Sequence, residues 1–350
     1  MKVLFLFPVF ILLFGACSST RPVVDEQNAT RLASTFPDRA AQSAYTDFTA
    51  SVCRLTAFVN YRSLVFEPDS LVLASEIGQR SGPGITRARL TRNESFSGTA
   101  TVIAVSGNRG LLLTCAHNVV FPDSVFTYND KANLQGKRFL LGLSEKTGEM
   151  IQVSGPYGTM QGEVIASDAE NDLALLEVKG SQPVVLPEPV QLRLATISEL
   201  HWGDRVWLTG YPSGRSMMTA GVLSIPGSGE GVLLTDAPFS EGYSGAPAIV
   251  YDRLAGEFIL AGVGRSVAAR SEYVLKPEKK IHEQAYNTAL PYQGPAYVEV
   301  EKQAAPGVTF ITSSEIIARF IGLEKEQLEQ RGWVGILKQD VGGSQLNSDD

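Results

Sequence analysis

Two residue types are nearly absent from this chain of 350 residues, and both shortages restrict its chemistry. The histidines are His117, His201 and His282, and the cysteines are Cys17, Cys53 and Cys115. Any general base built on imidazole must come from one of three side chains. The cysteines lie far apart, have no paired histidines and cannot make a zinc site, and no His-Glu-x-x-His occurs. No metal and no cofactor is expected. Charged residues are sparse at 19%, the net charge is −7, and no basic cluster is interleaved with aromatics. Nucleic acid is therefore not expected as a partner. Beyond residue 16, no apolar run is long enough to cross a bilayer.

What is present suits a globular, turn-rich chain. Hydrophobic residues make up 44%, enough for one large domain or two closely packed ones, and 33 Gly with 18 Pro punctuate many short strands. The first residues read as an export signal. Lys2 precedes an apolar run from Val3 to Phe14, too short to span a membrane, and Gly15-Ala16-Cys17 follows. This stretch resembles a bacterial lipoprotein signal, which implies a signal peptide over 1–16, a lipid on Cys17 and a polar tether over 17–45. The other reading is an ordinary cleaved signal with an incidental Cys. Either route exports the chain, and the first places it in a bacterial cell envelope, on the periplasmic or surface side, lipid-anchored to a membrane. Exported cysteines meet oxidising conditions, so Cys53 and Cys115 form either one bridge or two buried thiols.

Strand-like runs dominate the rest. They cover Ala50–Val59, Gly98–Val105, Gly110–Thr114, Arg138–Leu143, Met150–Val153, Gly162–Ala166 and Leu173–Val178. Glu67–Asn93 reads as a surface loop, and the stretch from Phe121 to Gly162 is long for a link. Pro183–Pro189 reads as a connector to a second set: Asp204–Gly210, Thr219–Ile225, Gly231–Thr235, Ala246–Tyr251, Phe258–Gly264 and Val308–Thr312. Gly227-Ser-Gly-Glu-Gly is a turn without the context of a phosphate loop. Residues 270–303 read as a polar insertion broken by Pro, Ser314–Gln330 as a helix capped by Ser313 or Ser314, and 335–350 as a polar tail. The expected fold is all-β: two antiparallel six-stranded barrels, over about 46–185 and 190–320, with a C-terminal helix closing a domain of 46–334.

Three short segments carry candidate chemistry. His117 follows the apolar run Leu111-Leu-Leu-Thr-Cys-Ala and so stands just past a strand end, whereas His201 opens a turn and His282 lies in a Lys/Glu-rich segment. Ser244 sits in Glu241-Gly-Tyr-Ser-Gly-Ala-Pro, where glycines allow the amides of Gly242 and Ser244 to aim at one spot as an oxyanion hole. Asp172 stands at the mouth of the strand Leu173-Ala-Leu-Leu and can accept an imidazole N–H; Asp168 is its competitor but reads as a turn residue. The order His, Asp, Ser differs from the Ser, acid, His order of α/β-hydrolases, and position 246 is Ala where their motif has Gly.

In these features the chain resembles the trypsin-like peptidases, especially the bacterial HtrA/Deg-like branch. Four blocks carry the resemblance in order: Gly98-Thr-Ala with Leu113-Thr-Cys-Ala-His117; Asn171-Asp-Leu-Ala-Leu-Leu; Gly203-Asp-Arg-Val-Trp-Leu-Thr-Gly-Tyr-Pro212; and Thr235-Asp-Ala through Gly242-Tyr-Ser-Gly-Ala-Pro247. The resemblance spans about Ala50 to Phe320. It implies a site between two barrels, Ser244 as nucleophile, His117 as general base, Asp172 as its orienting acid, and protein or peptide as substrate. It also implies that Gly262, Val263 and Gly264 pair with substrate backbone. Too few residues remain after Ile311 for a PDZ-like domain to follow, and the insertion at 270–303 falls close to the cleft. The competing class is an envelope-tethered binding or scaffold protein on a degenerate protease fold.

Overall fold

The computed structural model describes residues 35–67, 69–77, 86–129, 137–180, 193–225, 231–277 and 289–336. The chain enters through helix α1 (Arg39–Thr49), started by Asp38, whose carboxylate accepts the Ala41 N–H at 2.8 Å. Seven strands follow: β1 (Val52–Phe66), β2 (Thr86–Ser106), β3 (Arg109–Thr114), β4 (Ser124–Tyr128), β5 (Leu140–Gly155), β6 (Gly158–Asp168) and β7 (Leu173–Lys179). They form a sheet in the order β1-β2-β3-β7-β6-β5-β4, and β1 also pairs with β5. That extra pairing closes six strands into a barrel and leaves β4 outside on β5.

The second half repeats the plan. It comprises β8 (Arg193–Leu194), β9 (Arg205–Gly210), β10 (Met217–Ser224), β11 (Val232–Thr235), β12 (Pro247–Asp252), β13 (Glu257–Pro277) and β14 (Ala296–Ser313). Their order is β12-β9-β10-β11-β14-β13-β8, closed by β12 against β13, with β8 lying parallel on the outside of β13. Helices α2 (Ser314–Leu323) and α3 (Lys325–Gln330) end the described chain. The two antiparallel six-stranded barrels expected from the sequence are thus present.

Side-chain alternation explains the barrels. On β1, Cys53, Leu55, Ala57, Val59 and Tyr61 all face the interior of the first barrel, the period of two that a strand buried on one face requires. Strands β3 and β7 carry continuous apolar runs instead, because both of their faces are covered. Leu112 and Leu176 point into the first barrel, whereas Leu111, Leu113, Leu173 and Leu175 point into a core shared with the second barrel and α2. Each such buried Leu contributes about 1.5–3 kcal/mol.

The two ends of the described chain cross over. Helix α1 precedes the first barrel yet packs on the second: Phe36 stacks on Trp207 at 5.5 Å and the Tyr45 hydroxyl bonds Thr209 Oγ1 at 2.5 Å. Helix α3 and the residues after it follow the second barrel yet reach the first, where the Trp333 indole N–H donates to Glu177 Oε2 at 2.9 Å and Arg109 donates to the Arg331 carbonyl at 3.0 Å. These straps and the shared core tie the two barrels together.

Several boundaries need correction. The polar tether expected through residue 45 gives way by Phe36, because Ala41, Tyr45 and Phe48 are buried on one face of α1. The loop expected over 67–93 is partly strand, since β2 already pairs with β1 from Thr86. The long link from Phe121 to Gly162 holds β4 and β5. The polar insertion expected at 270–303 is instead, over its described residues, a continuation of β13 and β14, which stay paired from Gly262↔Ser313 to Pro277↔Ala296. The helix expected over Ser314–Gln330 is two helices divided at Glu324. Cys53 and Cys115 are both free and buried, Cys53 inside the first barrel and Cys115 in the core between barrels, so the bridge is replaced by its alternative, two thiols. The signal peptide, Cys17, the connector at 183–189, His282 and the tail at 335–350 (beyond Ile336) lie outside the described residues.

Candidate active site

Three segments meet where the barrels touch. A single 3-10 turn, Ala116–Asn118, follows β3 and lifts His117 to the rim. Asp172 immediately precedes β7, which pairs with β3, so the two side chains come from neighbouring strand ends. Asp172 has φ +57°, a left-handed conformation that Asp tolerates better than most residues. Its carboxylate grips the histidine twice: Oδ1 accepts the His117 backbone N–H at 2.9 Å, and Oδ2 lies 2.7 Å from Nδ1. The carboxylate is largely buried while the imidazole is half exposed. That is the arrangement in which an acid fixes the tautomer of a base and leaves Nε2 for chemistry.

Asp168 is elsewhere engaged. Its Oδ1 accepts the amides of Glu170 and Asn171, and its Oδ2 accepts the Asn171 side chain, closing the turn before β7. Burial alone would raise its carboxyl; the bonds from Asn171 and Glu170 outweigh that and hold it below the ordinary aspartate value.

Ser244 reaches the seam on the turn before β12. Gly242 and Gly245 have φ +99° and +88°. A Cβ on Gly242 would fall on the Tyr211 carbonyl oxygen, and one on Gly245 on the Thr99 carbonyl oxygen, so both glycines are required by conformation and by space. Among the described residues, neither the Gly242 nor the Ser244 amide has an intramolecular partner. The first barrel holds this turn from across the seam. Thr99 N–H and Asn118 Nδ2 donate to the Ser244 carbonyl at 2.8 and 2.9 Å, and Thr99 Oγ1 donates to the Gly242 carbonyl at 2.7 Å while accepting Tyr211 N–H at 3.1 Å. Tyr243 turns inward and is buried against Phe239.

Arg265 was not apparent in the sequence. A β-bulge between Gly264 and Ser266 rotates it out of the ladder. Its carbonyl accepts the Ser244 hydroxyl at 3.4 Å, its Nε lies 3.6 Å from Asp172 Oδ2, and its Nη2 donates to the Glu170 carbonyl at 3.3 Å. One residue therefore touches both the nucleophile candidate and the acid. The bulge also corrects the residues expected to receive substrate. Gly262 and Val263 are buried and paired with both β12 and β14, and on the serine turn Gly264 N–H donates to the Ala246 carbonyl while its own carbonyl accepts the Gly245 N–H. The unpaired edge of β13 begins just past Arg265.

The donor atoms of Cys115, His117 and Asp172 lie within 4.8 Å of one another, a set that could in principle chelate a cation. They do not fit one. Burial, reinforced by the Asp172 carboxylate, pushes the Cys115 thiol well above its ordinary value, so it is held protonated. Asp172 is committed to His117, and the Arg265 guanidinium already supplies positive charge there. His201 makes no contact with these residues and is exposed beside Asp204.

No curated protein matches the chain. Among solved structures, an HtrA-type protease with a decapeptide aligns with a TM-score of 0.44 and 16% identity, covering 83% of this chain and 67% of that one. Residues 98–259, which contain His117, Asp172 and Ser244, match the family model described as a trypsin-like peptidase domain.

Proposed function

We propose that the protein is a serine endopeptidase in which Ser244 attacks a peptide carbonyl, His117 is the general base and Asp172 orients it. The carrying observation is the 2.7 Å contact between His117 Nδ1 and Asp172 Oδ2, set beside a serine turn pinned to the same barrel by Thr99 and Asn118. With Nδ1 occupied, Nε2 accepts the Ser244 proton as Oγ bonds to the substrate carbonyl carbon. The carbonyl oxygen becomes an oxyanion, which the amides of Gly242 and Ser244 are free to bind. The proton then passes to the leaving amine, and water, deprotonated in turn by His117, hydrolyses the acyl-enzyme. The hydroxyl of Ser244 rests on the Arg265 carbonyl, so it must rotate to His117 before attack.

That resting position also favours the second reading, a binding protein on a protease fold. Reaction with a fluorophosphonate decides between them. We expect a stoichiometric adduct on Ser244, absent in Ser244→Ala and slowed by orders of magnitude in His117→Ala. An unlabelled wild-type protein would sink the enzymatic reading. The envelope location is part of the same proposal and rests on residues 3–17. Labelled palmitate should enter the wild-type protein and not Cys17→Ala; label persisting on the variant would exclude this anchor.

A further inference from the structure

Strand β13 leaves the second barrel at Arg265 and continues to Pro277. At Gly262 and Val263 it is paired on both sides, by β12 and β14; among the described residues, beyond Gly264 it pairs with β14 alone. The ten residues from Ser266 to Leu275 therefore present a strand edge that no second described strand covers, about 30 Å long at the usual rise. One face of this two-stranded arm is apolar and open. Tyr273 is 79% exposed and Leu275 75%, and Val298, directly opposite Leu275, is 63% exposed. Long exposed edges with an apolar face pair readily with other chains, and folded proteins suppress them unless they are used.

Resting on the peptidase reading above, we infer that the arm is a docking edge for extended substrate polypeptide, extending the cleft well beyond the scissile bond. Continuity selects this occupant. The edge opens just past Arg265, whose carbonyl receives the Ser244 hydroxyl, so a chain laid in strand form across the nucleophile runs directly onto it. A second copy paired along the whole edge would lay its own strand over Ser244 and close the site. Because β13 runs away from Ser244, an antiparallel guest places the residues preceding the scissile bond on the arm, about ten of them over this length. Alternate guest side chains fall on the face of Tyr273, Leu275 and Val298, so the guest is apolar at every second position. Main-chain bonds give affinity and the apolar face gives selection, as in other strand additions.

The test reads binding to Ser244→Ala protein, where no turnover intervenes. The probes are a short fluorescein-labelled peptide and the same peptide extended at its N-terminus to about sixteen residues with alternating Val and Thr, a length chosen to cover the edge. We expect the extension to tighten binding at least tenfold. The gain should vanish in the exposed-face variant Tyr273→Ser/Leu275→Ser/Val298→Ser and with a probe N-methylated at alternate extension residues, while the short peptide binds unchanged. An extension without effect, or a gain that survives the variant, overturns the inference. So does a wild-type dimer that the variant abolishes while the extension does nothing. The readouts separate the two proposals: absent phosphonate labelling removes the enzyme but not the edge, and absent extension binding with normal labelling removes only the edge.

Discussion

At the scale of single residues, two aspartates four positions apart do opposite work. Asp172 faces His117, and Asp168 closes a turn. Asp172→Asn should lower kcat/KM by about 10⁴, because an amide favours the wrong imidazole tautomer; Asp168→Asn should leave kcat/KM within a few-fold. Its effect belongs to stability. Asp168 has a folded value below its unfolded one, so its contribution is present above the unfolded value and fades as pH falls through the folded value. Thermal melts of Asp168→Asn should therefore fall below wild type at neutral pH and converge with it in strong acid. Equal activity losses for both variants would overturn the assignment. Arg265→Ala removes the partly exposed guanidinium from Asp172 but keeps the carbonyl that holds Ser244. A two- to fivefold loss of kcat/KM is expected, roughly the size of such a pair, with Arg265→Lys in between.

The proposed triad could be assembled from the sequence because motif, strand-end position and chain order agree there, and the His117–Asp172 contact is the part that the structure brings together. Arg265 was not legible, because its role comes from a bulge, and a bulge depends on the register of two strands distant in sequence. The same one-residue displacement moved the free edge away from Gly262–Gly264.

Among the elements, α1 carried its signal openly. Ala41, Ala44, Tyr45 and Phe48 follow the i, i+3, i+4, i+7 spacing of an amphipathic helix, and Asp38 stands at the cap. That spacing is short, and it begins inside the stretch read as a polar tether, so α1 was not read from the sequence. The arm was similar: Tyr273, Leu275 and Val298 lie on strands that alternate, but Pro277, Pro291 and Pro295 read as breaks, and pairing across the intervening stretch could not be inferred. Phe48 is wholly buried between α1 and the shared core. Phe48→Ala should cost about 3–5 kcal/mol in a urea titration. A change under about 1 kcal/mol, the level of a surface substitution, would mean that the helix is decoration.

For the whole molecule, the geometry of the proposed site is a matter of register between barrels. Thr99, buried in the first barrel, makes three bonds to the serine turn and the Tyr211 amide in the second. Thr99→Val keeps the shape but deprives Gly242 O and Tyr211 N–H of a partner. Stability should fall by about 1–3 kcal/mol. Phosphonate labelling of Ser244 should slow by more than that loss of folded protein explains, which stopped-flow labelling on fully folded samples would measure. The barrels themselves were legible, since alternating strands in two sets with one late helix have few other solutions. What holds them together was less so, because the shared core is drawn from residues more than a hundred positions apart.

The crossed ends of the chain have a consequence for biosynthesis. On a ribosome the segment up to residue 180 emerges first, complete in its hydrogen-bonded strands, yet the core that holds Leu111, Leu113, Leu173 and Leu175 is finished only when the second barrel and α2 are made. Helix α1 waits in the same way for Trp207 and Phe258. The nascent first half is thus a sticky intermediate whose burial is completed by the second barrel and α2, a natural client for a holding chaperone. His117, Asp172 and the residues that hold the serine turn, Thr99 and Asn118, are all made before Ser244, so the proposed site is completed from the second barrel's side.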